Sequence, residues 1–146
     1  MKPILAIDPG AAGGFAWIDA EGTVNAEPMP DGMTGQADRL RSLVAGSPLL
    51  SAVVEKVGTY RPGNSGPAAA TFARHCGNIE AVLYLLGIPT KAVAPGVWQR
   101  CCGSLSKEKA ARKRSIKEQM ARSYPHVSVT LKTADALGIL TWAMSQ

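Results

Sequence analysis

The spacing of apolar and polar positions predicts a sheet whose first three strands form an antiparallel meander. The glycine-rich turn at 9–14 and the turn at 19–22 separate the first three apolar runs, as in consecutive hairpins. The runs at 3–8 and 51–55 are short and apolar and each ends in an acid, which is typical of central strands buried on both faces. The predicted strands are 3–8, 14–18, 23–29, 51–55 and 91–94.

Segments in which apolar residues recur at helical spacing lie between and after the later predicted strands. Between 58 and 67 the glycine and proline content predicts a loop, and Gly87 marks a helix end. The last helix is apolar on nearly all sides and should be buried. The predicted helices are 33–46, 68–86, a short turn at 95–99, a basic helix at 106–123 capped by Ser106, and 133–144. This order predicts an α/β fold with a mixed five-stranded sheet, three antiparallel strands followed by parallel ones, and helices on both faces.

The composition is typical of a folded protein, and we expect a single domain that spans residues 1–146. Hydrophobic residues make up 46% and charged residues 18%, which argues against disorder. No apolar run has the length of a membrane span or the pattern of a secretory signal, so we expect a cytoplasmic protein. The three cysteines, Cys76, Cys101 and Cys102, are an odd number without Cys-x-x-Cys spacing, which disfavours a disulfide framework and a zinc site.

The net charge of +5 is concentrated in one segment. Residues 99–124 contain eight basic and two acidic residues, whereas the rest of the chain is nearly neutral. A basic segment on a neutral body suits a polyanionic partner such as nucleic acid. An ordinary solvated helix rich in lysine and arginine is the alternative explanation.

Three acids stand at the ends of apolar elements. Asp8 ends the first strand, Glu55 ends the fourth, and Asp135 lies in the first turn of the last helix. The predicted sheet can place the ends of the first and fourth strands side by side. Carboxylates near a core are costly unless they are paired or bind a cation, and converging oxygen ligands suit Mg²⁺ or Mn²⁺. Such ions activate water for phosphodiester hydrolysis.

Each acid also has a purely structural explanation. Asp8 precedes Pro9-Gly10 and can be a turn-forming residue. Glu55 can be a solvated acid at a strand end. Asp135 follows Thr133, a good N-cap, and can simply complement the helix dipole. The three tryptophans lie within apolar elements, where core packing is the better interpretation.

Motifs in the same order along nearly the whole chain resemble those of RuvC-type Holliday-junction resolvases of phages and bacteria, which have an RNase H-like fold. The opening strand Ile4–Asp8 with Pro9-Gly10, and Val53-Val54-Glu55, resemble the family's first two acidic strands. Ala134-Asp135-Ala136-Leu137 resembles its last acidic motif. Further similar segments are the helix and strand from Phe72 to Pro89, the short helix at Pro95–Trp98 and the basic helix from Lys107 to Pro125.

The resemblance implies a homodimer that cuts four-way DNA junctions with Mg²⁺ or Mn²⁺. Asp8, Glu55 and Asp135 would be the metal ligands and catalytic acids, with Lys132 beside them. Tyr60 would be the candidate for an aromatic wedge at the junction centre, although a plain surface tyrosine is the alternative. The predicted DNA contacts are Tyr60, Arg61, Arg74, Lys107, Lys109, Arg112, Lys113 and Arg114.

Lys132 departs from the family pattern. The family has an Asp or sometimes a His three residues before its last aspartate, and this chain has Lys132 there. A lysine can pair with Asp135, occupy the space of a second metal, orient water or contact the scissile phosphate. Either one metal suffices, another carboxylate substitutes, or the domain binds junctions without cutting well.

The leading hypothesis is therefore a structure-selective endonuclease. A module that binds branched DNA with weak or no cleavage, because of Lys132, is the second. A nuclease acting on RNA or RNA–DNA hybrids is the third. A phosphotransferase of the related actin-like fold is disfavoured, because the chain has about half the length that such a fold needs.

Overall fold

The described part of the chain contains one mixed sheet of five strands. In the computed structural model, which describes residues 2–48, 50–58, 63 and 65–146, the strands are β1 (Ile4–Asp8), β2 (Gly14–Ile18), β3 (Val24–Pro28), β4 (Ser51–Glu55) and β5 (Thr90–Val93). Their order is β3-β2-β1-β4-β5, with β1, β2 and β3 antiparallel and with β4 and β5 parallel to β1. The predicted mixed sheet is confirmed.

Helices follow the predicted order, with small shifts at their ends. They are α1 (Gly32–Gly46), α2 (Gly66–Leu85), α3 (Pro95–Trp98), which runs into a 3₁₀ turn at Gln99–Cys102, α4 (Lys109–Ser123) and α5 (Ala134–Met144). Residues 127–131, between α4 and α5, contain no helix or strand. No helix among the described residues is long and apolar enough to cross a membrane.

The basic helix begins three residues later than predicted, and Glu108 rather than Ser106 caps it. The Glu108 carboxylate accepts hydrogen bonds from the backbone amides of Ala110 and Ala111 at 2.9 and 2.7 Å. These amide contacts, first that of Ala110, lower the pKa of Glu108. Ser106 supports the turn before it by accepting a bond from the Glu108 amide at 3.1 Å. A charged carboxylate that reaches two free amides is the stronger cap.

Two apolar layers cover the two faces of the sheet, as the sequence predicted. On one face β-strand residues such as Leu5 and Ile7 pack with Leu40 of α1 and with Ile79 and Leu83 of α2. On the other face the strands pack against α4 and α5. Alternate residues of a strand point to opposite faces, so every second position of β1 faces α5.

Candidate active site

Strand register brings Asp8 and Glu55 together. Ile7 of β1 lies opposite Val54 of the parallel neighbour β4, and the next residue of each strand is an acid. Both acids follow the alternation that points Ala6 and Val53 toward the α5 layer. Asp8 retains 7% and Glu55 9% of its exposure, so two carboxylates share a nearly buried edge of the sheet.

Asp135 joins them from the helix above. Helix α5 packs over β1 and β2, and Asp135 lies in its first turn. Its Oδ2 accepts a hydrogen bond from Lys113 Nζ of α4 at 3.3 Å. The three acids line one cleft of about 860 Å³, which supports reading them as one site rather than as three unrelated structural acids.

Burial and neighbouring negative charges both act on Asp8. Burial, then the charges of Asp135 and Glu55, raise the pKa of Asp8 from 3.8 to about 8, although the Lys113 ammonium opposes this. Glu55 also hydrogen-bonds the Asp8 carboxyl and favours its protonated form. Burial of Asp8 and repulsion from the neighbouring carboxylates therefore favour a proton or a cation at this position.

The donor chemistry of this cluster fits a hard divalent cation. Carboxylate oxygens are the ligands that Mg²⁺ and Mn²⁺ prefer, and a cation here would replace the proton of Asp8. Among the described residues, however, no group of three or more acidic, histidine or cysteine side chains is arranged to hold a metal ion as it stands.

Trp98 orients Glu55, a role that sequence reasoning missed. Its indole Nε1 donates a hydrogen bond to Glu55 Oε1 at 2.8 Å, and its side chain is wholly buried. Gly138 of α5 makes this position possible, since a Cβ there would lie 2.5 Å from the Trp98 ring. The core-packing interpretation of Trp98 is correct but incomplete. No local signal in the sequence links these two residues, which lie 43 positions apart.

Glycines shape the turn over the carboxylates. A Cβ on Gly13 would lie 2.0 Å from the Asp8 carbonyl oxygen and 3.2 Å from the Asp8 carboxyl carbon. A Cβ on Gly14 would lie 2.7 Å from the carbonyl oxygen of Lys132. These glycines let the turn after β1 close against the acids and against the segment that precedes α5.

Lys132 lines the cleft but does not pair with Asp135, which contacts Lys113 instead. The Lys132 backbone amide donates to Thr130 Oγ1 at 3.2 Å. Thr133 Oγ1 accepts from the Thr130 amide at 3.0 Å and makes no bond to the start of α5, so the predicted N-cap bond is absent. Among the described residues that line the cleft there is no fourth acid to substitute for Lys132.

The predicted DNA contacts divide into three groups. Lys109, Arg112 and Lys113 line the cleft itself, and Arg114 lines an adjoining small groove. Arg112 also donates to the backbone carbonyl of Lys107 at 3.1 Å. Arg74 of α2 and Lys107 are exposed but do not line the cleft, while Tyr60 and Arg61 lie outside the described residues.

Solved structures with the same arrangement of strands and helices are junction resolvases. The T. thermophilus RuvC complex with a Holliday junction substrate has a TM-score of 0.63 at 16% identity, covering 96% of this chain and 91% of that one. The chain has the RuvC fold. The yeast mitochondrial Holliday junction resolvase has a TM-score of 0.50 at 17% identity, covering 97% and 77%. The fowlpox virus resolvase in its junction complex has a TM-score of 0.50 at 11% identity, covering 98% and 99%.

Among the comparisons with known proteins, only those of three-dimensional architecture support the RuvC fold. The chain matches no protein-family model and no curated protein sequence. The predicted RNase H-like topology is confirmed, while the catalytic roles of Asp8, Glu55, Asp135 and Lys132 stay predictions.

Proposed function

We propose that this protein is a structure-selective DNA endonuclease that resolves four-way junctions by divalent-metal-dependent phosphodiester hydrolysis. One observation supports this above the others: three carboxylates on separate elements line a single cleft, beside lysines and arginines of α4. The related folds whose structures contain Holliday junction DNA support the choice of substrate. The proposal includes a cytoplasmic location, in a bacterium or in a phage-infected host.

Each group in the cleft has a proposed task. Asp8, Glu55 and Asp135 would hold Mg²⁺ or Mn²⁺, and Trp98 would keep Glu55 turned toward the ion. Lys109 and Arg112 would bind phosphates on either side of the scissile bond. The bound ion would supply the positive charge that lowers the pKa of an attacking water and offsets charge on the phosphate. Lys132 at the cleft wall would add a further phosphate contact.

A homodimer with two such clefts is part of the proposal, because a four-way junction must be cut in two strands. Support comes from α2, which buries only Ile79 and Leu83 among its described side chains. Its C-terminal turn exposes Tyr84 at 84% and Leu85 at 80%. Exposed large apolar side chains of this kind are typical of protein interfaces.

Sedimentation at several protein concentrations tests the dimer. The double change Tyr84→Ser with Leu85→Ser should shift the equilibrium from dimer toward monomer.

The decisive test is cleavage of a synthetic four-way junction with Mg²⁺ or Mn²⁺, alongside Asp8→Asn and with binding measured in parallel. We expect paired symmetric nicks from the natural sequence and a loss of at least a hundredfold in Asp8→Asn, because that change removes a metal ligand. Duplex and RNA–DNA hybrid substrates of the same length are the controls for substrate class. Cleavage of the hybrid in preference to the junction would contradict the proposal.

A second function, junction binding with little cleavage, is favoured by the two lysines in the cleft. Lys132 stands where the family has an acid, and Lys113 already neutralises Asp135. Tight junction binding without nicks under either ion would support this function. Lys132→Asp should then restore cleavage, because it adds the missing carboxylate to the cleft.

A further inference from the structure

Lys113 is the cation closest to the acidic cluster. Its ammonium lies 3.3 Å from Asp135 Oδ2, and the pair is shielded, with side-chain exposures of 33% for Lys113 and 14% for Asp135. The same ammonium acts on Asp8, where its charge favours ionisation. Among the described residues, no other basic side chain forms an ion pair with Asp8 or Asp135.

The packing of α4 directs Lys113 to this position. Ile116 and Met120, three and seven residues further along α4, are buried against α5 and anchor the same helix face. Lys113 continues this face by one turn toward the cleft, where the apolar layer ends. Its long side chain therefore extends from the edge of the apolar layer to Asp135. The ion pair forms while α4 keeps its regular helical conformation.

We propose that Lys113 is a built-in counter-ion that competes with the divalent cation for Asp135 and that moves to a phosphate of the bound DNA. This rests on the proposed nuclease function and deepens it. An ammonium and a metal ion cannot both neutralise one carboxylate oxygen at full strength, so each weakens the binding of the other. A phosphate in the cleft offers Lys113 a new anionic partner and leaves Asp135 to the metal.

The exchange couples two binding events in a defined direction. DNA binding draws Lys113 away from Asp135 and raises the affinity of the site for the metal. By thermodynamic reciprocity the metal raises the affinity for DNA to the same extent. Without DNA the site holds its metal weakly, because Lys113 stays paired with Asp135. The cleft is then active only when a phosphate backbone lies in it.

Lys113→Met tests the proposal, because methionine keeps most of the apolar stem and removes the charge. Mn²⁺ binding to the DNA-free protein, followed by electron paramagnetic resonance of the free ion, is expected to tighten about fivefold or more. Junction cleavage at saturating Mn²⁺ is expected to slow at least tenfold, because the phosphate loses its lysine. Lys113→Arg keeps the charge and should leave Mn²⁺ affinity near that of the natural sequence.

Lys117→Met is the matched control, since Lys117 lies one turn further along α4 and does not line the cleft. It should change Mn²⁺ affinity and cleavage less than twofold. The proposal is overturned if Lys113→Met binds Mn²⁺ no more tightly than Lys117→Met, or if it cleaves as fast at saturating Mn²⁺. If no variant binds Mn²⁺ at all, the proposed metal-dependent nuclease fails, and the role of Lys113 fails with it.

Discussion

Asp8 occupies an electrostatically unfavourable position in the cleft. It lies beside Glu55 and within reach of Asp135, and burial together with these charges raises its pKa to about 8. Such an arrangement opposes folding of the empty protein and favours a cation. Asp8 therefore lowers the stability of the metal-free protein, and the proposed function needs this same residue.

The pH dependence of stability follows from this shift. Between its ordinary pKa of 3.8 and about 8, the folded protein holds a proton on Asp8 that the unfolded chain releases. Stability should therefore fall as pH rises through this window. Asp8→Asn removes the effect, so we expect the variant to be more stable at pH 8 by about 1–3 kcal/mol, with a smaller difference at pH 5. Urea denaturation with a chelator at both pH values measures it. An equal difference at both would contradict the raised pKa.

Trp98 is the second residue with a testable role. Trp98→Phe keeps an aromatic ring in the core but removes the indole N–H that holds Glu55. We expect a stability loss of about 1–3 kcal/mol and a fall in Mn²⁺ affinity or junction cleavage of roughly tenfold to a hundredfold. The control is Trp142→Phe, since Trp142 packs on the same apolar layer without contacting Glu55. Equal losses of affinity in both variants would assign Trp98 a packing role alone.

At the scale of elements, α5 connects the core to the cleft. Its Ala136, Leu137, Ile139 and Leu140 are completely buried, while its first turn carries Asp135. Close packing of this helix on the sheet therefore sets the position of Asp135 relative to the carboxylates of Asp8 on β1 and Glu55 on β4. A change within α5 should affect both stability and the site.

Gly138 of α5 lies against the ring of Trp98. Gly138→Ala would place a methyl group 2.5 Å from the ring and force the tryptophan or the helix to move. We expect a loss of about 1–3 kcal/mol in thermal or chemical denaturation, although alanine is the better helix former. Gly77→Ala on α2 is the matched control, because a Cβ there meets nothing within 4 Å. That change should stabilise by about 0.5–1 kcal/mol. If Gly138→Ala stabilised the protein as Gly77→Ala does, α5 would have to shift to accommodate the added methyl group.

The elements themselves were largely predictable from the sequence. Strands β2 and β4 begin and end where the apolar runs do, because buried strands read as continuous apolar segments. The predicted start of α4 was wrong, because the sequence pattern indicated Ser106 as the N-cap. In the structure Glu108 caps the helix, since its carboxylate accepts hydrogen bonds from two backbone amides. Helix ends depend on such local competition and are the hardest feature to predict.

At the scale of the whole molecule, charge is separated in space as well as in sequence. The basic helix α4 runs past a cleft lined with three acids, whereas α1 and α2 cover the opposite face of the sheet. A polyanion would therefore be bound on the α4 side by phosphate contacts, next to the carboxylates.

Salt dependence tests this placement. Lys109→Gln and Arg114→Gln should each weaken junction binding and reduce the slope of log affinity against log salt by about 1, as expected when one phosphate contact is lost. Arg41→Gln is the control, since Arg41 pairs with Asp38 on α1, away from the cleft. It should leave the slope unchanged. Equal effects of all three changes would mean that only net charge matters.

The sequence alone determined the order of elements, the mixed sheet and the identity of the three acids, because these follow from apolar periodicity and from polar residues at the ends of buried runs. Only the tertiary structure decided which groups meet. Lys113 reaches Asp135 across 22 residues and Trp98 reaches Glu55 across 43. Such contacts depend on strand register and helix packing, which no local pattern encodes, and they determine the charge and orientation of the carboxylates.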